Sequence, residues 1–390
     1  MRIYQIFVDR FSTGDPNRDA ELAGKTGKSW MGGNLHGVIS KLDYIESLGF
    51  DAIWLTPIYR TSAYHGYHIT DFFDVDPHFG TKDDLRTLVQ EAHRRDIRVI
   101  LDFVPNHVSS EHPFFRDAQK NSQSEYRDWF VFTRWPDEYL CYYNIREIPK
   151  LNLYNPDAEN HVLDAAEYWV DEFGIDGYRL DHVVGPPWHF WRDLVRTLRK
   201  YGRDFLLLPE LWASGAKRSF LHMFWFLREN PAWRRKLERL IALRGVGDVW
   251  VWKPHIRNPG VERFLIRTFK YFFDTPLDFV TNFYARRALR LGEIPSVRAP
   301  RRHFVFLDNH DMDRLSWIAS GERYWGALEW LASARNSVVY YGTEICAQQK
   351  RSVNDYASYG DTEARRFMDW SAAQNGDCVR RFREVFNPRA

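Results

Sequence analysis

Ala52-Ile53-Trp54-Leu55-Thr56-Pro57-Ile58 is the stretch that decides the fold. A strand wetted on one face alternates apolar and polar residues. This run is apolar almost throughout, as a strand buried on both faces requires. Such strands belong to parallel sheets covered by helices, and the flanking sequence supplies the helices. Upstream, Leu35, Val38, Ile39, Leu42, Ile45 and Leu48 recur at helical spacing before Gly49, which predicts one helix over 35–48. Downstream, Asp83 to Arg94 reads as a helix and Arg98 to Val104 as the next apolar strand. Ile3 to Asp9 precedes them as the first strand, followed by a polar loop from Ser12 to Gly33.

The alternation resumes after a pause. Asp157 to Phe173 is amphipathic and helical, and Ile175 to Asp181 forms the fourth strand. A helix over Trp188 to Tyr201 leads to the fifth strand, Phe205 to Pro209. Leu277 to Tyr284, Arg302 to Leu307 and Ser337 to Tyr341 supply the sixth, seventh and eighth strands, and Val379 to Phe386 a closing helix. Eight strand–helix units predict an α/β protein, a (β/α)8 TIM barrel. Residues 1–107 and 151–390 form that barrel. Residues 108–150 are a short irregular insertion after the third strand, and 212–272 a helical insertion after the fifth.

Bulk composition narrows the function classes. The 390 residues carry a formal charge of +2, which argues for neither a nucleic-acid nor a membrane partner. Aromatics reach 16%, with 16 Trp, and ring faces of that kind stack on sugar rings as well as filling cores. Cys141, Cys346 and Cys378 are widely spaced and suggest neither a metal site nor a disulfide framework. Met1 to Asp9 reads as a core strand without a cleavable leader, and no window is long and apolar enough to span a bilayer. A cytoplasmic protein, monomeric or homodimeric, is the expectation.

In such barrels the site lies at the C-terminal ends of the strands. The third strand ends with Asp102, Asn106 and His107, the fourth with Arg179, Asp181 and His182, the fifth with Glu210, and the seventh with Asp308, Asn309, His310 and Asp311. Arg179 and Asp181 are two apart, so they share a strand face, where a guanidinium would favour the ionised carboxylate. Glu210 follows the apolar run Phe205-Leu206-Leu207-Leu208-Pro209, a setting that raises a carboxyl pKa. Carboxyls converging from several strands suit glycoside hydrolysis.

Four separated stretches carry a resemblance. Asp102-Phe-Val-Pro-Asn-His107, Gly177-Tyr-Arg-Leu-Asp181, Glu210-Leu211-Trp212 and Phe306-Leu-Asp-Asn-His-Asp311 resemble, in order, the four conserved regions of the alpha-amylase family, glycoside hydrolase family 13. Ile148-Pro-Lys-Leu-Asn152 is similar to a signature of its neopullulanase, cyclomaltodextrinase and maltogenic amylase subgroup. The resemblance implies a retaining α-glucan hydrolase. Asp181 would be the nucleophile, Glu210 the acid/base and Asp311 the transition-state stabiliser. Arg179 would hold Asp181 ionised. Tyr67 would stack under the sugar, while His107 and His310 bind its hydroxyls. His182 faces either the leaving-group side of the cleft or the barrel wall. Retention places the Asp181 and Glu210 carboxyls about 5–5.5 Å apart.

The implied substrates are maltooligosaccharides, cyclodextrins or starch-type glucans cleaved at α-1,4 bonds, with α-1,6 bonds as an extension. A 4-α-glucanotransferase would use the same residues. An inactive sugar-binding subunit is disfavoured by the intact Asp181, Glu210 and Asp311. The chain departs from the family in starting on the first barrel strand and ending at the last helix, so no C-terminal β-sandwich is expected. No cofactor is required. Asp15, Asp19 and Asn34 fall where some relatives bind calcium, but a solvated polar loop is the favoured reading, and the metal site is left unassigned.

Overall fold

The computed structural model of the chain describes residues 1–142, 145–183, 185–202, 204–210, 286, 288–295, 304–355 and 360–387. Its centre is a parallel sheet. Strands β1 (Arg2–Ile6) and β2 (Ala52–Leu55) are followed by a hairpin outside the sheet, β3 (Tyr59–Thr61) with β4 (Ile69–Val75). Then come β5 (Arg98–Phe103), a second small hairpin of β6 (Phe132–Arg134) and β7 (Glu138–Tyr139), and β8 (Gly177–Leu180), β9 (Leu206–Pro209) and β10 (Ser337–Tyr340). The six-stranded order is β10-β1-β2-β5-β8-β9, so the last strand lies beside the first. A parallel bridge from Val305 to Ser337 adds the predicted seventh strand beyond β10. The predicted sixth strand and the 212–272 insertion lie outside the described residues.

Strand parity separates two cores. Ile3, Ala52, Trp54, Ile100, Leu208, Phe304, Phe306 and Val338 pack together on the inner face. The opposite residues, including Tyr4, Ile53, Leu55, Val99, Leu101, Tyr178 and Leu180, join the larger core beneath the helices. Burial on both faces is why these strands read as continuous apolar runs. The helix Pro156–Phe173 covers part of the outer layer. Asn155 caps it by accepting from the Asp157 and Ala158 N–H groups, and Gly174 ends it at φ 66°. A cap of this kind contributes about 1 kcal/mol.

Several predicted elements differ. The helix expected over 35–48 is two, Leu35–Ile39 and Leu42–Ser47. Ser40 Oγ donates to the Gly37 carbonyl at the break, a local bond that competes with helix continuation. The loop expected from Ser12 to Gly33 contains a helix, Pro16–Leu22, with Asp15 as N-cap and Pro16 in its first turn. The hairpin β3–β4 was not anticipated. Its register shifts break the strict two-residue period, and β4 buries only Ile69, Phe72 and Val75. The stretch 108–150 is less irregular than expected. It holds the helix Pro113–Lys120, the β6–β7 hairpin, and buried Phe115, Trp129 and Phe130.

The cysteine reading needs correction. Cys346 and Cys378 form a disulfide across 32 residues, with Cα atoms 6.0 Å apart. Folding brings the loop after β10 against the helix Asp377–Phe386, a proximity that spacing alone does not reveal. Cys141 is a free cysteine. Among the described residues no helix is long and apolar enough to cross a membrane.

Candidate active site

The inward parity that fills the space inside the curved sheet also builds the site at its C-terminal edge. Ile3 is followed two residues on by Gln5, Ile100 by Asp102, Gly177 by Arg179 and then Asp181, and Leu208 by Glu210. Register aligns them: Asp102 pairs with Arg179, and Leu180 with Pro209, so Asp181 and Glu210 both stand one residue past paired strand ends. At the bottom of this row Gly177 is required by space, because a Cβ there would lie 2.5 Å from the Leu206 carbonyl oxygen.

Arg179 organises the site. Its guanidinium is buried and touches three carboxylates. Nη1 donates to Asp102 Oδ1 at 2.8 Å and Oδ2 at 3.0 Å, and to Asp181 Oδ1 at 2.9 Å. Nη2 lies 2.8 Å from Glu210 Oε1. Glu210 Oε2 accepts the backbone N–H of His182 at 3.0 Å. Asp102 also accepts from Trp54 Nε1 at 3.2 Å and Tyr67 Oη at 2.8 Å.

One guanidinium cannot offset three buried carboxylates. Burial pushes Asp181 up to about 7 against the pull of Arg179, with Asp102 and Asp311 adding like-charge repulsion. Burial raises Glu210 to about 7 as well, again opposed by Arg179, with Asp181 and Asp311 adding to the rise. Asp102 rises to about 6, burial winning over its bonds to Arg179 and Tyr67. The expectation that Arg179 simply holds Asp181 ionised is therefore incomplete. Arg179 divides its charge, and Asp181 and Glu210 titrate in the same range.

The opposite wall comes from β3–β4 and the segment after Val305. Tyr67 Oη lies 2.9 Å from His310 Nε2, and the two rings are nearly parallel at 5.4 Å. His310 is buried, with its Nδ1 2.7 Å from Gln5 Nε2. Burial drives the His310 pKa down to about 3, so its ring is neutral. Asp311 lies 3.2 Å from His310 Nε2 and accepts from Arg365 at 2.8 Å. Its partial burial works against ionisation, yet the Arg365 and Arg179 guanidiniums hold it below the usual carboxylate range. The Asp311 side chain remains 37% exposed, so solvent screens part of that effect.

Arg365 escaped the sequence reading. It anchors the Asp311 side by donating to the His310 carbonyl at 3.0 Å, to Tyr64 Oη at 3.2 Å and to Asp361 at 3.4 Å. An Arg 54 positions after its partner, outside any motif, gave no signal beyond its charge.

His107 and His182 lie on the insertion side. The rings of both are 4.7 Å from Tyr142, which sits between them. His182 is buried at positive φ, 43°, and its ring faces Tyr142 of the insertion. Burial lowers His107 to about 3. Asp308 does not join the carboxyl cluster. It accepts from the Leu315 N–H at 2.8 Å and from Thr343 Oγ1, tying the segment after Asp311 to the end of β10.

In the N-terminal loop the side chains considered as calcium ligands bond to the protein itself. Asp19 is buried rather than solvated. Its Oδ2 accepts from Ser12 Oγ at 2.6 Å, and its Oδ1 from the Thr13 N–H and hydroxyl, both at 2.7 Å. Asp15 accepts from Asn17 N–H and Asn34 Oδ1 from Gly37 N–H. Calcium takes about six to eight oxygens, and here both Asp19 oxygens already accept from protein donors. Among the described residues no group of three or more His, Cys, Asp or Glu side chains is arranged to hold a metal.

The chain is similar to several known proteins. The alpha amylase catalytic-domain model matches residues 5–186. The chain is 34% identical over 371 residues to Alpha-amylase 2 of Dictyoglomus thermophilum, covering 95% of this chain and 59% of that protein. It is 39% identical over 222 residues to a cyclomaltodextrinase of Geobacillus thermopakistaniensis, over 54% of this chain and 38% of the relative. The chain thus spans well under two thirds of these curated relatives. The crystal structure of an alpha-amylase from Geobacillus thermoleovorans, complexed with acarbose, superposes with a TM-score of 0.69 at 30% identity, covering 99% of this chain and 78% of that one. A matching catalytic-domain model, a match along nearly the whole chain and a carboxyl cluster at parallel strand ends lead to one assignment: the chain belongs to the alpha-amylase family, glycoside hydrolase family 13.

Proposed function

We propose that the chain is a retaining hydrolase of α-1,4-glucosidic bonds in maltooligosaccharides, cyclodextrins or starch-type glucans, working from a closed eight-stranded barrel. One observation carries the reading: Arg179 binds Asp181 and Glu210 through its two terminal nitrogens, at 2.9 and 2.8 Å. That arrangement sets two carboxyls of matched pKa side by side at the mouth of the barrel. In the productive state Asp181 is ionised and Glu210 holds the proton.

Asp181 then attacks the anomeric carbon while Glu210 passes its proton to the departing glucosidic oxygen. The product is a β-glycosyl ester on Asp181 and a shortened glucan. Glu210, now a carboxylate, takes a proton from water, whose oxygen displaces Asp181 from the anomeric carbon. The second inversion restores the α configuration. Asp311, held anionic by Arg365 and Arg179, binds sugar hydroxyls and favours the positively charged transition state. Tyr67 and His310 form the floor beside it, and His107 lines the insertion side.

No step needs a metal. Release of reducing ends from maltotriose, γ-cyclodextrin, pullulan and soluble starch, with the first-formed anomer read by proton NMR, tests the proposal. Initial α-anomer is the expected product. Initial β-anomer would rule out retention, and redistribution of chain length without new reducing ends would indicate a transferase.

A further inference from the structure

We infer that Gln5 fixes which nitrogen of His310 carries the ring proton, and through it the direction of the Tyr67 hydroxyl. Gln5 is thus a positioning residue supplied by a strand that carries none of the carboxyls. Its kinetic consequence rests on the glycosidase reading above, but its geometry does not.

Gln5 sits on the inward face of β1 and is fully buried. Its Nε2 lies 2.7 Å from His310 Nδ1. An amide nitrogen only donates, so Nδ1 must accept, and a neutral ring then carries its proton on Nε2. The surroundings keep the ring neutral, because it is buried between Phe7 and Trp54 at centroid distances of 6.2 and 6.3 Å.

The proton's position propagates. His310 Nε2 is 2.9 Å from Tyr67 Oη and 3.2 Å from Asp311 Oδ2. With Nε2 protonated, the Tyr67 oxygen accepts from His310 and sends its own proton to Asp102 Oδ2, 2.8 Å away. In the other tautomer Nε2 would be an acceptor competing for that phenolic proton. Asp102 would lose a donor and draw harder on Arg179, which it shares with Asp181 and Glu210. A buried amide on β1 thereby reaches Asp102 through three hydrogen bonds, and the carboxyl pair through Arg179 beyond it.

Gln5 Oε1 has no hydrogen-bond partner among the described residues. Among the described residues the bond to His310 alone orients the amide. Turning the amide over would place Oε1 against Nδ1 and demand the opposite tautomer, so the two arrangements differ in an observable.

The test is 15N NMR of histidine-labelled protein, with the His310 signals assigned by their loss in His310→Asn. In the wild type the one-bond N–H splitting should appear on Nε2, and splitting on Nδ1 would overturn the inference. Gln5→Glu places a carboxylate, which only accepts, against Nδ1. A proton should then appear on Nδ1, and kcat for a maltooligosaccharide should fall about tenfold, the scale of one rearranged hydrogen bond, with KM nearly unchanged. A His310 spectrum unaltered by Gln5→Glu, or a relocated proton with unaltered kcat, would contradict the proposal. If Gln5→Glu does not fold, the wild-type spectrum still decides. Should the wild type cleave no α-glucan, the glycosidase reading fails while the tautomer assignment stands or falls on its own spectrum.

Discussion

Replacing Asp181 with Asn should make the protein more stable at neutral pH while abolishing turnover. Asn keeps the size and an acceptor for Arg179 but removes a charge packed against Asp102, Glu210 and Arg179. In the wild type burial lifts the Asp181 carboxyl from 3.8 to about 7. A carboxyl raised on folding contributes stability that is fully present below its unfolded pKa and is lost as pH rises through its folded pKa. The wild type should therefore lose stability from pH 4 to pH 7 through this group, and the Asn variant should not. Three pKa units correspond to about 4 kcal/mol as a ceiling. Because Asp102 and Glu210 share the same proton balance, about 2 kcal/mol is the expected gain at pH 8. Thermal unfolding followed by tryptophan fluorescence from pH 4.5 to pH 8 should show a gap that opens with pH and reaches a few degrees. Hydrolysis should fall at least about a thousandfold. An Asn variant no more stable than wild type at pH 8, or a gap that narrows as pH rises, would refute the reasoning that Asp181 is held at an energetic cost.

Other consequences are as direct. Because Asp181 and Glu210 are both raised to about 7, kcat/KM should be bell-shaped with its maximum between pH 6 and 8, declining below as Asp181 takes a proton and above as Glu210 loses one; a plateau extending from pH 4 would contradict this. Arg365→Met removes one of the groups that hold Asp311 below the usual carboxylate range, so the Asp311 carboxyl should titrate at higher pH when followed by 13C NMR, and an unmoved Asp311 titration would show that Arg365 only packs. Reducing the Cys346–Cys378 disulfide opens a 32-residue loop and should lower stability by about 3–4 kcal/mol on the chain-entropy model, visible as a lower urea midpoint in dithiothreitol that Cys378→Ser reproduces without reductant.

Much of this was legible in the chain because burial leaves a pattern. Ala52–Leu55, Arg98–Phe103 and Leu206–Pro209 are buried on both faces or nearly so, hence their apolar runs; the second carries Asp102 near its end, and the third ends where Glu210 begins. Arg179 and Asp181 were paired from their spacing, and the structure joins them at 2.9 Å. What spacing could not show is competition: Arg179 also serves Asp102 from β5 and Glu210 past β9, and only strand register brings these together. Tyr67 is marked by the family resemblance, whereas Arg365 reaches the same wall from far along the chain with nothing in its neighbours to mark it. The β3–β4 hairpin was hidden because its register shifts erase the alternation by which a strand is recognised. The helix Pro16–Leu22 did carry a signal, Asp15 followed by Pro16, which the polarity of the surrounding loop masked. The 212–272 insertion and the sixth strand lie outside the described residues, so those expectations stand where the sequence left them.

The measurement closest to the central claim is the trapping of the covalent intermediate. In a Glu210→Gln variant, α-maltosyl fluoride can form the glycosyl ester without acid assistance, because fluoride leaves unaided, while hydrolysis of the ester lacks its base. Intact-mass and peptide-mapping mass spectrometry after brief exposure should find one maltosyl unit, attached at Asp181. A maltosyl adduct on Asp102, Asp311 or any other residue, or fluoride release at undiminished steady rate with no adduct, would contradict the assignment of Asp181 as nucleophile and Glu210 as acid/base.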